Sequence, residues 1–258
     1  MENSKVTKQA PGTKILTARD LTKIYPGTSQ PAVKGFNISI TEKEIFGLLG
    51  PNGAGKTTAI SMMSTLMKPT SGSVTICGID IARYPQEVKK LIGYVPQEVA
   101  LYPNLSAREN LRFLGRVSGL RGKALEQRVS ECIDFVGLEK SADQRVYAYS
   151  GGMKRRTNLA AGILNKPKVL FLDEPTVGID PQSRNLILER LSTIRENTTM
   201  VYTTHYIGEV EGLCSSVAIM DAGGIIAEGT PEELISRIPG CANLEGIFIA
   251  LTGRQLRD

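Results

Sequence analysis

A chain of 258 residues, 41% hydrophobic and 22% charged, has the ordinary composition of a globular protein and can bury a sizeable core. No apolar run approaches the ~20 residues that cross a bilayer, and the opening MENSKVTKQAPGTK lacks the apolar centre of a signal peptide, so the chain is expected to stay in the cytosol. The formal net charge of +5 is compatible with nucleic acid, anionic lipid or solubility and selects none; Cys77, Cys132, Cys214 and Cys241 lie far apart without a CxxC pair, so neither disulfides nor zinc are expected.

In chain order, residues 1–13 are polar and expected to be disordered. The segments KILTARDLTKIY and PAVKGFNISI alternate apolar and polar side chains, the pattern of half-exposed antiparallel strands. EIFGLLG leads into a glycine-rich turn, after which KTTAISMMSTLM has helical spacing. SARENLRFLGRVSGL and KALEQRVSECIDFVGL read as amphipathic helices, the first opened by a capping-box pattern of Ser106 and Glu109. VLFLDEP and MVYTTH are short apolar runs typical of buried parallel strands, and SVAIMDAGGIIAEGT reads as a hairpin turning at Ala222–Gly223–Gly224. The expected fold class is α/β: a P-loop core with a mixed or parallel sheet, an antiparallel β subdomain, and an α-helical subdomain inserted at about 98–160. One domain is expected over 14–235, with a short C-terminal extension over 236–258.

GPNGAGKTT, residues 50–58, matches G-x-x-x-x-G-K-[ST] between an apolar strand and a helix, the context that confirms a phosphate-binding loop. Its glycines let the backbone wrap close to phosphates at a helix N-terminus. The candidate cradle comprises Asn52, Gly53, Ala54, Gly55, Lys56, Thr57 and Thr58, with Lys56 supplying a cation to the outer phosphates and Thr57 a hydroxyl to Mg²⁺. At the end of the VLFLDEP strand, Asp173 is placed to hold Mg²⁺, and Glu174 to polarise an attacking water.

YSGGMKRR, 149–156, joins a hydroxyl and two glycines to the start of a helix, a shape suited to an anion, yet it holds no acid or base. Standing 19 residues before the VLFLDE strand, it resembles the signature motif of ABC transporter nucleotide-binding subunits, and the resemblance covers roughly residues 14–235. It implies that Ser150, Gly151 and Gly152 contact the γ-phosphate of ATP bound to a neighbouring subunit. Tyr149 and Met153 depart from the common LSGGQ. By the same resemblance Gln97 is the Q-loop glutamine that senses Mg²⁺ and water, His205 is the switch histidine at the γ-phosphate, and Asp180 in VGIDP is the D-loop aspartate between two sites. Tyr25 is similar to the aromatic that stacks on adenine.

The family implies an ATPase that dimerises, as a homodimer or heterodimer, and powers a separate transmembrane permease from the cytoplasmic face of the membrane. SGGMKRR, EPTVGIDP and the tail NLEGIFIALTGRQLRD resemble subunits of ABC-2 type exporters, although Gly246 stands where an acidic residue is expected. An importer ATPase shares the core motifs and differs in tail and partner. A soluble family member acting on ribosomes or DNA would suit the basic charge. However, translation-type members usually carry two cassettes, and chromosome- or repair-type members insert coiled coils or zinc modules where this chain has 52 residues between Gln97 and Ser150. No nucleic-acid partner is expected, and a P-loop kinase would lack the SGG signature.

Overall fold

The computed structural model describes residues 12–237, 241 and 243–253. The expectation of disorder over 1–13 falls almost wholly outside these residues, as do the last five residues of the tail.

Two sheets carry the fold. β1 (Lys14–Lys23) and β2 (Val33–Thr41) pair antiparallel, as the alternation predicts; β4 (Ser71–Ile76) and β5 (Ile79–Asp80) complete a four-stranded sheet of order β2-β1-β4-β5. The larger sheet has order β10-β9-β3-β8-β7-β6. It contains β3 (Ile45–Leu49), β6 (Ile92–Val95), β7 (Val169–Asp173), β8 (Thr199–Thr204), β9 (Ser216–Asp221) and β10 (Gly224–Gly229). Its members are parallel except the edge strand β10, which pairs antiparallel with β9.

Both faces of this sheet are covered, which explains strands that read as continuous apolar runs. Along β7, Leu170 and Leu172 join one core while Val169 and Phe171 join the other; in β8, Met200 and Tyr202 oppose Val201 in the same way. The second of these cores includes the antiparallel sheet and α1 (Lys56–Met63). The first includes α3 (Ala107–Val117), α4 (Gly122–Phe135), α5 (Gly151–Gly162) and α6 (Pro181–Ile194).

The capping box forms as the sequence predicts: Ser106 Oγ accepts from the Glu109 N–H at 3.1 Å and the Glu109 carboxylate accepts from the Ser106 N–H at 2.8 Å. The 216–230 hairpin also forms, turning through Ala222 (φ +46°) and Gly223 (φ +83°). KTTAISMMSTLM, in contrast, is helical only to Met63. Ser64 Oγ donates to the Ser61 carbonyl and Thr65 takes a φ of +66°, so local hydroxyl bonding and a left-handed residue end the helix a turn early.

Helix α5 docks on β6 through two glycines. A Cβ on Gly93 would lie 2.1 Å from the Gly162 carbonyl oxygen, and one on Gly162 would lie 2.4 Å from Val95 Cγ2. Gly93→Ala is therefore expected to cost about 1–3 kcal/mol of stability by overpacking. Gly208→Ala, in helix α7 (Ile207–Leu213) with nothing within 4 Å of the added Cβ, should be neutral or stabilising. Thermal melting of both variants checks the contrast; equal melting temperatures would contradict it.

Candidate active site

The loop between β3 and α1 is shaped by contacts that exclude side chains. A Cβ on Gly50 would lie 2.5 Å from the Met220 carbonyl oxygen, and Gly55 has φ +101° with its Cβ position 2.4 Å from the Ala32 carbonyl oxygen. Gly55 caps α1 with no side-chain partner for the first-turn amides, which leaves them available to an anion. The hairpin turn buttresses the loop from behind: the Gly223 N–H donates to the Ala54 carbonyl at 3.1 Å, and the Gly223 carbonyl accepts from the Lys34 N–H at 2.8 Å.

Ala32, residues 52–58, Gln97 and Glu174 line one cleft of about 390 Å³. Lys56, only 5% exposed, has its ammonium held by the Gly50 carbonyl at 2.7 Å and the Pro51 carbonyl at 3.2 Å. Its Nζ is also 3.4 Å from Glu174 Oε1. Burial lowers the Lys56 pKa, and the nearby Glu174 charge opposes that shift.

Asp173 and Glu174 stand at the end of β7, 1% and 5% exposed. Asp173 Oδ1 accepts from the Thr203 hydroxyl at 2.7 Å and the Thr57 hydroxyl at 3.2 Å, while Oδ2 is buried with no hydrogen-bond partner among the described residues. Burial raises the Asp173 pKa above the usual carboxylate range, against the opposing effect of those hydroxyls. A buried carboxylate oxygen without a partner, beside a threonine hydroxyl, is a donor set of hard oxygens and fits a hard divalent cation such as Mg²⁺.

Glu174 takes a φ of +45°, a strained conformation for a non-glycine residue, and its N–H is fixed by the Thr203 carbonyl at 3.1 Å and hydroxyl at 3.0 Å. This turns the carboxylate into the cleft among three other groups. Lys56 approaches Oε1, whereas Gln97 Nε2 at 3.4 Å and His205 Nδ1 at 3.2 Å approach Oε2. A carboxylate so placed can accept a proton from a water in the cleft, with a cation, an amide and an imidazole around it.

The remaining candidates lie apart from this cluster. Tyr25 flanks the cleft, half-buried, its hydroxyl 3.2 Å from Thr58 Oγ1 and the Lys23 ammonium 5.6 Å from its ring centroid. Ser150 caps α5 by accepting from the Met153 N–H at 3.2 Å. Gly151 and Gly152 face Gly178, Asp180 and Ser183 of the same chain, and none of Ser150–Gly152 lines the cleft. Asp180 caps α6, accepting from the Ser183 N–H at 2.9 Å, and that bond lowers its pKa. The departures from LSGGQ are packing positions: Tyr149 is 5% exposed with its hydroxyl donating to the Ser141 carbonyl, and Met153 packs on the core.

Thr203, which supports Asp173 and Glu174 from within the sheet, and Ala32, which lines the cleft, were named by no motif. Thr203 was within reach of the sequence: it stands two residues before His205 on a buried strand, and a hydroxyl among apolar neighbours must find a partner. Ala32 contributes its backbone, which leaves no side-chain signal.

The family model described as ABC transporter matches residues 33–177. The linearmycin resistance ATP-binding protein LnrL of Bacillus subtilis (strain 168) is 47% identical over 227 residues, 88% of this chain and 72% of that protein. The Nod factor export ATP-binding protein I of Cupriavidus metallidurans is 42% identical over 234 residues, 90% of this chain and 77% of that one. Among solved structures, an ATP-binding subunit of an ABC transporter superposes with a TM-score of 0.83 at 28% identity, covering 92% of this chain and 99% of its own. A dimeric cassette in a post-hydrolysis state, bound to ADP and Pi, gives a TM-score of 0.77 at 26% identity, covering 84% and 98%. The chain belongs to the ABC transporter family, as an ATP-binding subunit with the P-loop fold and ATPase activity of that family.

Proposed function

We propose that this chain hydrolyses ATP with Glu174 as the base and thereby powers a separate membrane permease of the ABC-2 exporter type. The observation that carries the chemistry is the grouping of Lys56, Gln97 and His205 within 3.4 Å of the buried Glu174 carboxylate. The exporter class draws on the roles of the relatives, linearmycin resistance and Nod factor export, together with the tail. Part of that tail is helix α9 (Leu244–Thr252). No helix among the described residues is long and apolar enough to cross a membrane. The assignment of the pore to another polypeptide, with this subunit at the cytoplasmic face, draws on the relatives that are themselves ATP-binding proteins of resistance and export systems.

In this reading the triphosphate lies along the amides of residues 53–57, with Lys56 on its outer oxygens and Tyr25 beside the base. Thr57 and Asp173 would hold Mg²⁺, with Gln97 at its edge, and the ion would neutralise phosphate charge. Glu174 takes a proton from the water that attacks the γ-phosphorus. The bond to the β–γ bridging oxygen breaks, giving ADP and phosphate, and His205 steadies the oxygens that gain charge. Ser150, Gly151 and Gly152 belong to the site of a second, facing subunit, which accounts for an anion-shaped turn outside its own cleft. ATP thus joins two subunits by charge-assisted hydrogen bonds from both, hydrolysis removes them, and the opening and closing drive the permease.

Asp173→Asn tests the metal assignment. Because burial raises the Asp173 pKa over its unfolded value, the cost to the fold is full above the raised pKa, shrinks as the pH falls below it, and is gone only below the ordinary carboxylate pKa. The neutral isostere should thus melt about 2–4 °C higher than wild type at neutral pH, a gap that closes on acidification. Mg²⁺-dependent hydrolysis should fall by about a hundredfold or more. Full activity would overturn the assignment.

Glu174→Gln keeps the shape of the group but not its basicity, so kcat should fall by about 10²–10⁴ while ATP still binds. Tagged Glu174→Gln protein, purified with ATP from detergent-solubilised membranes, should bring a membrane-spanning polypeptide identifiable by mass spectrometry. Ribosomal or DNA-associated proteins in its place would refute the transport reading and leave the hydrolytic one standing.

A further inference from the structure

Behind the cleft lies a buried charged cluster to which the hydrolytic reading gives no part. Glu209, on α7, is 4% exposed. Its Oε1 accepts from the Thr176 hydroxyl at 2.7 Å; its Oε2 accepts from the Tyr202 and Thr204 hydroxyls, both at 2.8 Å. Arg184 Nε stands 3.6 Å from Oε1, an ion pair without a hydrogen bond. The Thr204 hydroxyl that donates to Glu209 also accepts from the Tyr206 N–H at 2.9 Å.

Tyr206 carries the cluster outward. The Arg184 guanidinium carbon lies 4.2 Å from its ring centroid, a cation–π contact, and the His205 ring centroid lies 4.3 Å from it, the two rings tilted by 38°.

These contacts join two segments distant in sequence. Thr176 opens the loop that ends at Asp180, the cap of α6, and Arg184 sits one turn into that helix. Thr204, His205 and Tyr206 form the turn that presents the imidazole to Glu174. One carboxylate therefore holds the start of the 177–180 loop, the helix after it and the turn that carries His205. Three hydroxyl donors and a guanidinium are what a carboxylate this deeply buried requires, so each of these segments is held in one arrangement.

We propose that Glu209, Arg184 and Tyr206 are positioning residues for ATP hydrolysis: they brace the His205 turn against the 177–180 loop and so set the imidazole beside Glu174. This rests on the reading of Glu174 and His205 as hydrolytic groups. The brace also gives a physical path by which contact made by the loop with a facing subunit reaches His205 within the same chain.

Tyr206 is half-buried, so its variants test the brace without emptying the core. In the full-length protein, Tyr206→Ala should lower kcat by about tenfold or more, with KM for ATP and the Kd for ADP held within about twofold. Its melting temperature should stay close to wild type. Tyr206→Phe keeps the ring over Arg184 and should restore kcat; Arg184→Ala, which removes the cation, should repeat the Tyr206→Ala loss. Wild-type kcat in both Tyr206→Ala and Arg184→Ala would overturn the proposal, as would losses that only track melting temperature or KM. Glu174→Gln run alongside separates the two readings. If it hydrolyses ATP normally, the hydrolytic reading itself fails; if it is inactive while Tyr206→Ala and Arg184→Ala are both normal, the brace alone fails.

Discussion

Everything in the cleft depends on placing two adjacent carboxylates at the end of a strand with almost no access to water. Asp173 and Glu174 are each buried, and isolated charges at that depth are strongly disfavoured. The structure meets the cost differently for each. Glu174 is surrounded by a cation, an amide and an imidazole, its backbone forced to positive φ so that it faces them. Asp173 receives two hydroxyls on one oxygen and, among the described residues, no hydrogen bond on the other, and burial raises its pKa in spite of those hydroxyls. The protein thus retains a locally unfavourable group where a cation would make it favourable, the usual relation between strain and function.

That requirement organises the surrounding strands. β8 lies beside β7 in parallel register, with Thr203 opposite Asp173, so a single threonine serves both the Asp173 carboxylate and the Glu174 amide. Its neighbour Thr204 points to the opposite face and meets Glu209. The period of two in a strand therefore divides Thr203 and Thr204 between the cleft and the cluster behind it. The glycine contact between β6 and α5 sets how the helix opened by Ser150 lies on the sheet, and Gln97 follows β6 by two residues.

What could be read from sequence was what chemistry makes local. The phosphate loop, the Asp173–Glu174 pair and the Ser106–Glu109 box are short patterns whose geometry is decided by neighbouring residues. The antiparallel pair β1–β2 was legible because one face of it meets water. Residues 71–95 were not: β4 and β5 are short, and the four-residue β6 has no polar alternation because both its faces are covered. The early end of α1 depended on Thr65 adopting positive φ, which β-branched residues rarely do. Glu209 lies in no motif and carries no local signal, since the groups that meet its carboxylate, Thr176, Tyr202 and Thr204, are up to 33 residues away.

In the proposed mechanism each complete ATP site is shared between two subunits, in keeping with Ser150–Gly152 lining no part of their own cleft. Mixing two inactive variants, Lys56→Ala and Ser150→Arg, tests it most directly. In a mixed dimer the Lys56 of one chain meets the Ser150 of the other, so one site is whole. The account predicts that the equimolar mixture recovers hydrolysis to on the order of a quarter of wild type, while each variant alone stays inactive. A mixture in which mixed dimers form but remain inactive, or a Ser150→Arg protein with wild-type turnover, would contradict it.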